Sequence, residues 1–336
     1  MAGVQGSALA VAVAKAGGLG ALPCAMLSHD AMRAELTAIR EQIIDRPYNV
    51  NFFCHTPPTP DAEREAAWRA LLSPYYEELG IDHSSIATGP GRAPFTSEIA
   101  DVLEEFRPPV VSFHFGLPAT ALLDRVRSWG SKILSSATTV EEARWLEEQG
   151  VDAVIVQGLE AGGHRGHFLS HDLTVHAGTF ALLPQVVEAV KVPVIATGGI
   201  ADAKGVAAAI RLGAVGVQIG TAYLLCPEAT TSAVHRAALK SDDARHTALT
   251  NLFSGRPARG IVNRLMRDLG PISTAVPEFP LATPAIAPLR VKAENLGKGD
   301  FSPLWSGQNP TGCKEIPAAD LTRELAAGFA QRSKVL

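Results

Sequence analysis

Basic charge is not in excess in this chain. Thirty Lys and Arg face 34 Asp and Glu over 336 residues, a formal charge of −4. That balance gives no electrostatic footprint for a polyanion and argues against nucleic acid as a partner. Cysteine is sparse: Cys24, Cys54, Cys226 and Cys313 are scattered, with no C-x-x-C pair. Neither a zinc ribbon nor a disulfide scaffold fits, and a reducing compartment is expected. No run reaches the ~18 apolar residues of a membrane span. Residues 7–14 (SALAVAVA) lack a preceding Lys or Arg and run into Lys15 and Gly17-Gly18. They read as a short buried helix rather than a secretion signal, with the cytoplasm as the default location. Aromatics are few, at 6%.

What the chain does have is 46% hydrophobic residues, 30 Gly and 23 Pro, enough for a large core joined by many tight turns. Short β-branched runs alternate with longer helical patterns, the mark of a parallel sheet built from βα units. Strands are expected at 19–22, 48–54, 110–115, 132–136, 153–157, 193–197 and 216–220. Helices are expected at 30–42, 61–79, 96–106, 119–129, 139–149, 180–190 and 203–212, with a loop at 89–94. Seven strands is one short of a (β/α)8 TIM barrel, so Met1-Ala2-Gly3 reads as the loop after an absent first strand. Either an upstream segment precedes this sequence, from an internal Met start, or something else fills the gap. A doubly wound open sheet is the rival fold. The expected division is a barrel over 1–226 and a helical, Pro-rich subdomain over 227–336 that packs on it as a lid. Helices are expected there at 232–240 and 260–268, and a Pro-rich stretch at 277–288.

Ligands of such barrels bind at the C-terminal strand ends. Those ends are small, polar and glycine-rich: 51–54, Ser135-Ser136, Gln157-Gly158, Thr197-Gly198-Gly199 and 218–221. The last two loops, Gly198-Gly199-Ile200-Ala201-Asp202 and Gly220-Thr221, suit a phosphate, since glycine lets backbone N–H groups approach it closely. A third feature, QGLEAGGHRG over 157–166, surrounds His164 and Arg165 with glycines at a strand end. A histidine there suits a general base, against the bland reading of a satisfied core residue. His167, His171 and His176 follow, but their spacings do not align on one helix face and no carboxylate triad accompanies them, so no metal site is expected. Cys54 reads as a buried apolar cysteine. SGRPARG at 254–260 could hold an anion, or be a helix-entry turn whose arginines pair with acidic residues.

These pieces together resemble the class I nitronate monooxygenases, FMN enzymes on a TIM-barrel fold. MAGVQGSALAVAVAKAGGLG, QGLEAGGHRG, ATGGIAD, QIGT and FSGRPARG carry the resemblance, which runs over essentially the whole chain. It implies that Asn51, Gln157, Gly162 and Gly163, Gly198 and Gly199, Gln218, Gly220 and Thr221 contact FMN. The Gly199 and Gly220-Thr221 loops would hold the phosphate, Ala2 and Gly3 would lie by the isoalloxazine ring, and Ser136 would face the flavin. His164 matches the family's catalytic base. The implied reaction is FMN-dependent oxidation by O2 of alkyl nitronates such as propionate 3-nitronate, or of nitroalkanes, to a carbonyl compound and nitrite. The rivals are a flavin-dependent enoyl-ACP reductase, an NAD(P)H:quinone reductase, and a non-catalytic flavin-binding protein. The substrate is a small molecule; no membrane or nucleic-acid partner is expected, and the oligomeric state stays open.

Overall fold

Each strand of the main sheet lies beside the one before it. In the computed structural model, which describes residues 1–82 and 92–330, these are β1 (Gly20–Pro23), β2 (Tyr48–Phe53), β3 (Val110–His114), β4 (Lys132–Ala137) and β5 (Ala153–Gln157). After β6 (Gly163–His164), which belongs elsewhere, come β7 (Val194–Thr197) and β8 (Gly216–Gln218). All seven are parallel, in the order β1-β2-β3-β4-β5-β7-β8. A doubly wound sheet must reverse direction at a switch point, and this one never does. The fold is an α/β TIM-barrel-like sheet of seven strands, the number read from the sequence, with β1 and β8 at its ends. The expected loop at 89–94 lies outside the described residues as far as residue 91.

The helices are α1 (Ser7–Lys15), α2 (His29–Gln42), α3 (Ala62–Leu79), α4 (Ser97–Phe106), α5 (Thr120–Ser128), α6 (Val140–Glu148), α7 (Thr179–Ala189) and α8 (Ala203–Arg211). Local chemistry starts several of them. Ser28, Thr96, Thr139 and Asp202 each accept a hydrogen bond from the N–H of the residue three positions on, which satisfies a donor that a helix start leaves orphaned.

Alternation along the strands sorts side chains into two sets. Val50, Phe52, Val111, Phe113, Ile133, Val154, Val156 and Ala196 pack outward in the core shared with the helices. Val110, Leu134, Ala153 and Ile155, with Ile195, form a separate cluster inside the sheet's curl. The same inward parity, followed to the C-terminal ends, selects Asn51, Phe53, His114, Ser136, Gln157, Thr197 and Gln218. Register then sets neighbours, with Asn51 opposite Ser112, Gln157 opposite Thr197, and Thr197 opposite Gln218.

Beyond β8 the chain forms α9 (Ala233–Lys240), β9 (Thr247–Thr250), β10 (Ala258–Ile261), α10 (Arg264–Leu269), α11 (Thr283–Asn295) and α12 (Ala318–Ala330). The helix expected at 260–268 is corrected: Gly260 and Ile261 end a strand, and the helix begins at Arg264 with Asn263 capping it. Asn263 interrupts the run and its carboxamide accepts from Met266 N–H, so the helix cannot start earlier without losing that cap. The Pro-rich 277–288 stretch leads into α11, whose second residue is Pro284, where a missing N–H costs nothing. Trp68, Leu72 and Tyr76 of α3 pack with Ala285, Ile286 and Leu289 of α11. Leu321 and Leu325 of α12 instead join Leu9 of α1 and Val206 and Ile210 of α8, so the last helix completes the outer layer between them.

Candidate active site

His164 is fixed by two parts of the chain far apart in sequence. Gln157, the last residue of β5, donates through Nε2 to the His164 carbonyl at 2.9 Å, and its Oε1 accepts from Gly166 N–H at 2.8 Å. One amide thus pins the loop that leaves its own strand. From the other side β6 pairs antiparallel with β10, placing His164 opposite Ala258, and β10 pairs in turn with β9. Arg165 N–H donates to the Pro257 carbonyl at 2.8 Å. The Arg165 side chain is wholly buried and donates to the carbonyls of Gly158 and Gln157 at 2.6 and 2.9 Å and to His176 Nδ1 at 3.3 Å.

His114, at the inward end of β3, completes the floor. Its Nε2 lies 3.2 Å from the His164 carbonyl, which can only accept, so that nitrogen carries the proton and Nδ1 accepts from the Ser136 hydroxyl at 2.5 Å. A Cβ on Gly166 would fall 2.7 Å from the His114 ring and 2.9 Å from Ser136 Oγ; only glycine allows the loop this close. Burial lowers the His114 pKa to about 3.

The His164 ring stands among aromatic rings: Phe279 and Trp305 at 5.4 Å, Phe115 at 6.1 Å and Phe53 at 6.3 Å between centroids. Phe115 has φ of 71°, a left-handed backbone that a bulky residue adopts only at a cost. His164 Nε2 is 2.8 Å from Ser254 Oγ, whose hydroxyl reaches the Arg256 carbonyl at 3.4 Å. With the Ser254 proton given to that carbonyl, Nε2–H donates to Ser254 and the lone pair sits on Nδ1. The His164 pKa lies well below the ordinary value, through burial first and then the neighbouring Arg92, His114 and Arg256. It is a neutral imidazole at neutral pH.

Two cations close on the aromatic group. The Arg256 guanidinium lies 4.1 Å from the Phe115 centroid and the Arg92 guanidinium 5.6 Å from that of Phe279. Arg256 donates to the carbonyls of Arg165 and His167, while Arg259 donates to the Leu159 carbonyl at 2.8 Å and to Thr247 Oγ1 at 3.2 Å. Among the described residues none of these three arginines has a carboxylate partner. The 254–260 stretch is therefore not a helix-entry turn balanced by acids; it is a turn and a strand that hold cations against carbonyls and rings. Burial lowers the pKa of Arg92 and of Arg256 to about 10, and both remain charged at neutral pH.

The glycine loops gather on the neighbouring side. Gly198 and Gly199 follow β7 with φ of 116° and 73°, and Gly3 has φ of 80° beside Met26. Gly220 precedes the short 3-10 turn Thr221–Leu225. A strap from 304 to 309 ties these loops together. Gly307 N–H donates to Thr221 Oγ1 at 2.9 Å, Gln308 N–H to the Glu160 carbonyl at 2.9 Å, and Asn309 Nδ2 to the Gly199 carbonyl at 3.0 Å. Gly162 packs so tightly beneath the strap that a Cβ would lie 2.5 Å from Gly307 N, whereas Gly163, with φ of 74°, has open space.

Asn51 points inward and donates to Ser112 Oγ at 2.9 Å, while Gln218 is exposed at the end of β8. Ala2, next to Gly3, is partly buried. His167 and His176 are buried and their rings meet at 5.3 Å, but Arg165 and Thr138 engage both nitrogens of His176. Among the described residues no group of three His, Cys, Asp or Glu is arranged to hold a metal. Cys54 is half-buried rather than buried, and desolvation pushes its thiol pKa well up, in keeping with an unreactive cysteine.

Sequence reasoning missed His114, His55, Arg92, Phe279 and Trp305. Period-two parity along VVSFHF marks His114 as inward, and that signal was available. Arg92, Phe279 and Trp305 come from loops with no local pattern that would place them.

An α/β barrel that brings its inward polar side chains and a half-buried histidine together at the C-terminal strand ends has the architecture of an enzyme of the TIM-barrel class. The family model for nitronate monooxygenase matches residues 1–328. A nitronate monooxygenase of Pseudomonas aeruginosa is 41% identical over 97% of this chain and 93% of its own. One from Paraburkholderia phytofirmans is 39% identical over 97% and 89%. Among solved structures, a nitroalkane oxidase from Streptomyces ansochromogenes superposes with a TM-score of 0.88 at 37% identity, over 98% of this chain and 94% of that one. FabK from Thermotoga maritima follows at 0.69 and 25% identity, over 99% and 91%. The chain belongs to the nitronate monooxygenase family and is an oxidoreductase. No helix among the described residues is long and apolar enough to cross a membrane.

Proposed function

We propose that the protein binds FMN and oxidises alkyl nitronates, such as propionate 3-nitronate, or nitroalkanes, with O2, to a carbonyl compound and nitrite. The observation that carries this reading is the neutral, half-buried His164 among aromatic rings, with the Arg256 guanidinium on the neighbouring Phe115 and without a carboxylate partner. A neutral imidazole can take a proton from carbon, and the adjacent positive charge favours the nitronate anion that results.

The residues present fit FMN by their chemistry. Glycine loops with positive φ at 198–199, and Gly220-Thr221, leave backbone donors without a covering Cβ, the cradle a phosphate requires. Asn49 Oδ1 is buried with no partner, beside the inward Asn51 and Ser112, which leaves polar groups under the loops. We assign the phosphate to Gly198, Gly199, Gly220 and Thr221, and the ring system to Ala2, Gly3, Asn51, Ser136, Gln157, Gly162, Gly163 and Gln218. FMN bound there would supply the electron acceptor that passes electrons on to O2.

His164 Nδ1 takes the α-proton of a neutral nitroalkane, while Nε2–H stays on Ser254 and holds the ring in place. A nitronate arrives without that proton, and the ring then serves only to place its oxygens. The rings of Phe53, Phe115, Phe279 and Trp305 exclude water and strengthen each charge interaction inside.

Anaerobic addition of propionate 3-nitronate to the purified protein tests the reading. Bleaching of a flavin spectrum on nitronate alone is expected. A flavin that stays oxidised until NAD(P)H is added would move the assignment to a reductase, and no bound flavin with no turnover to a non-catalytic role.

A further inference from the structure

One side of the aromatic group around His164 carries polar groups that have nothing to bind. His55 follows the end of β2 and is 5% exposed, yet neither ring nitrogen makes a hydrogen bond of normal geometry, the Arg92 backbone giving it only a weak polar contact. Its ring meets Phe279 edge-on at 4.8 Å and Phe115 at 6.4 Å. These two rings, 5.5 Å apart, are the ones that Arg92 and Arg256 cover and that also touch His164. Arg92 differs from Arg256 in one respect. The side chain of Arg256 is spent on the carbonyls of Arg165 and His167, whereas the Arg92 guanidinium makes no hydrogen bond or ion pair among the described residues and rests only on the face of Phe279.

A partly desolvated guanidinium and a buried imidazole without a full hydrogen bond both cost free energy until something completes them. Two such groups on the one aromatic ring that also touches His164 make a ligand subsite. We propose that Arg92 and His55 bind a carboxylate carried by the substrate, a few bonds away from the carbon on which His164 acts. The planar guanidinium fork matches the two oxygens of a carboxylate, and the neutral imidazole adds one N–H. The Phe279 ring, touched by His55, Arg92 and His164, sets the separation between the two ends. This rests on the nitronate reading above and extends it, since it assigns the choice among nitronates to two residues outside the glycine motifs.

The test compares propionate 3-nitronate with ethyl nitronate, which lacks the carboxylate, in the wild-type enzyme and in Arg92→Gln, Arg92→Lys and His55→Gln. In Arg92→Gln, kcat/KM for the carboxylated nitronate should fall roughly 10- to 100-fold, the worth of one charge-assisted hydrogen bond, mainly through KM. For ethyl nitronate the loss should stay under about threefold, as expected when only uniform binding of the remote group is lost. Arg92→Lys should recover part of the preference, and His55→Gln should show a smaller loss of the same kind. Equal losses on both nitronates, or a fall confined to kcat, would overturn the proposal.

Calorimetric titration with succinate reads the subsite without turnover. Binding to the wild-type protein that weakens at least tenfold in Arg92→Gln supports it, and unchanged binding, or none to either, counts against it. The two failures are separable. Arg92-dependent succinate binding without turnover of any nitronate would leave the subsite standing and sink the nitronate reading. Turnover of both nitronates with no carboxylate preference would do the reverse. Should His55→Gln fail to fold, the Arg92 variants and succinate decide alone.

Discussion

His164 works through what surrounds it more than through its own position in the sequence. Burial and neighbouring cations keep its ring neutral well below the usual histidine range, so the nitroalkane rate of the free enzyme should hold as pH falls through about 6.5, the value for an unperturbed imidazole. A pH–rate profile of kcat/KM for nitroethane checks this; an acid limb centred near 6.5 would contradict it. Replacing the base should also separate two substrates. In His164→Gln, nitroethane turnover should drop by about 10²- to 10⁴-fold, and ethyl nitronate turnover much less, because a nitronate has no α-proton left to remove. Steady-state rates on both compounds decide, and equal losses would count against a base. His164 and its glycine context were legible in the sequence. Its Ser254 partner, 90 residues away, was not, because only the pairing of β6 with β10 brings the two together.

At the scale of elements, the loop over 157–166 is held from three sides. Gln157 pins it from below, β10 from the side, and the 304–309 strap from above. Gly162 is where loop and strap touch, and a Cβ there would lie 2.5 Å from Gly307 N and 2.6 Å from the Ser306 carbonyl carbon. Both are backbone atoms that cannot swing away. Gly162→Ala should therefore lower stability by about 1–3 kcal/mol and loosen flavin retention, with denaturant unfolding and the flavin released on dilution as readouts. If Gly162→Ala unfolds and retains flavin as the wild type does, the strap does not govern the loop. The strands of the barrel were legible to within a residue or two because burial on both faces writes a continuous apolar run. The helix expected at 260–268 failed for a different reason: β10 is four residues long, paired along its whole length with β9 just upstream and over two residues with β6, and so short a strand leaves no periodic signature. Whether such a run extends or coils is decided by its partner.

For the whole molecule, histidine burial sets the response to acid. Folding lowers the pKa of His55, His176 and His235 to about 4 and that of His114 to about 3. Between those values and about 6.5 the unfolded chain takes up protons that the folded one refuses. The stability these groups contribute is complete above about pH 6.5 and drains away as pH falls toward 4, by at most about 1.4 kcal/mol per pH unit for each histidine. The melting temperature should fall steeply from pH 7 to pH 5, with proton uptake on unfolding measurable by calorimetry in buffers of different ionisation enthalpy. A flat profile over that range would show these histidines titrating alike in both states.

The sequence by itself determined the repeating βα order, the inward or outward sense of each strand residue, the glycine loops at the strand ends and the histidine among them. All of these are encoded within one or two turns of chain, by alternation, caps and the steric freedom of glycine. Only the tertiary structure decided which distant segments close over that end of the barrel. The β9–β10 hairpin that fixes His164, the strap at 304–309, and the aromatic rings and unpaired cations around the pocket meet through backbone pairing and packing across the chain. No local pattern records that pairing, because its energy comes from partners that the sequence places far apart.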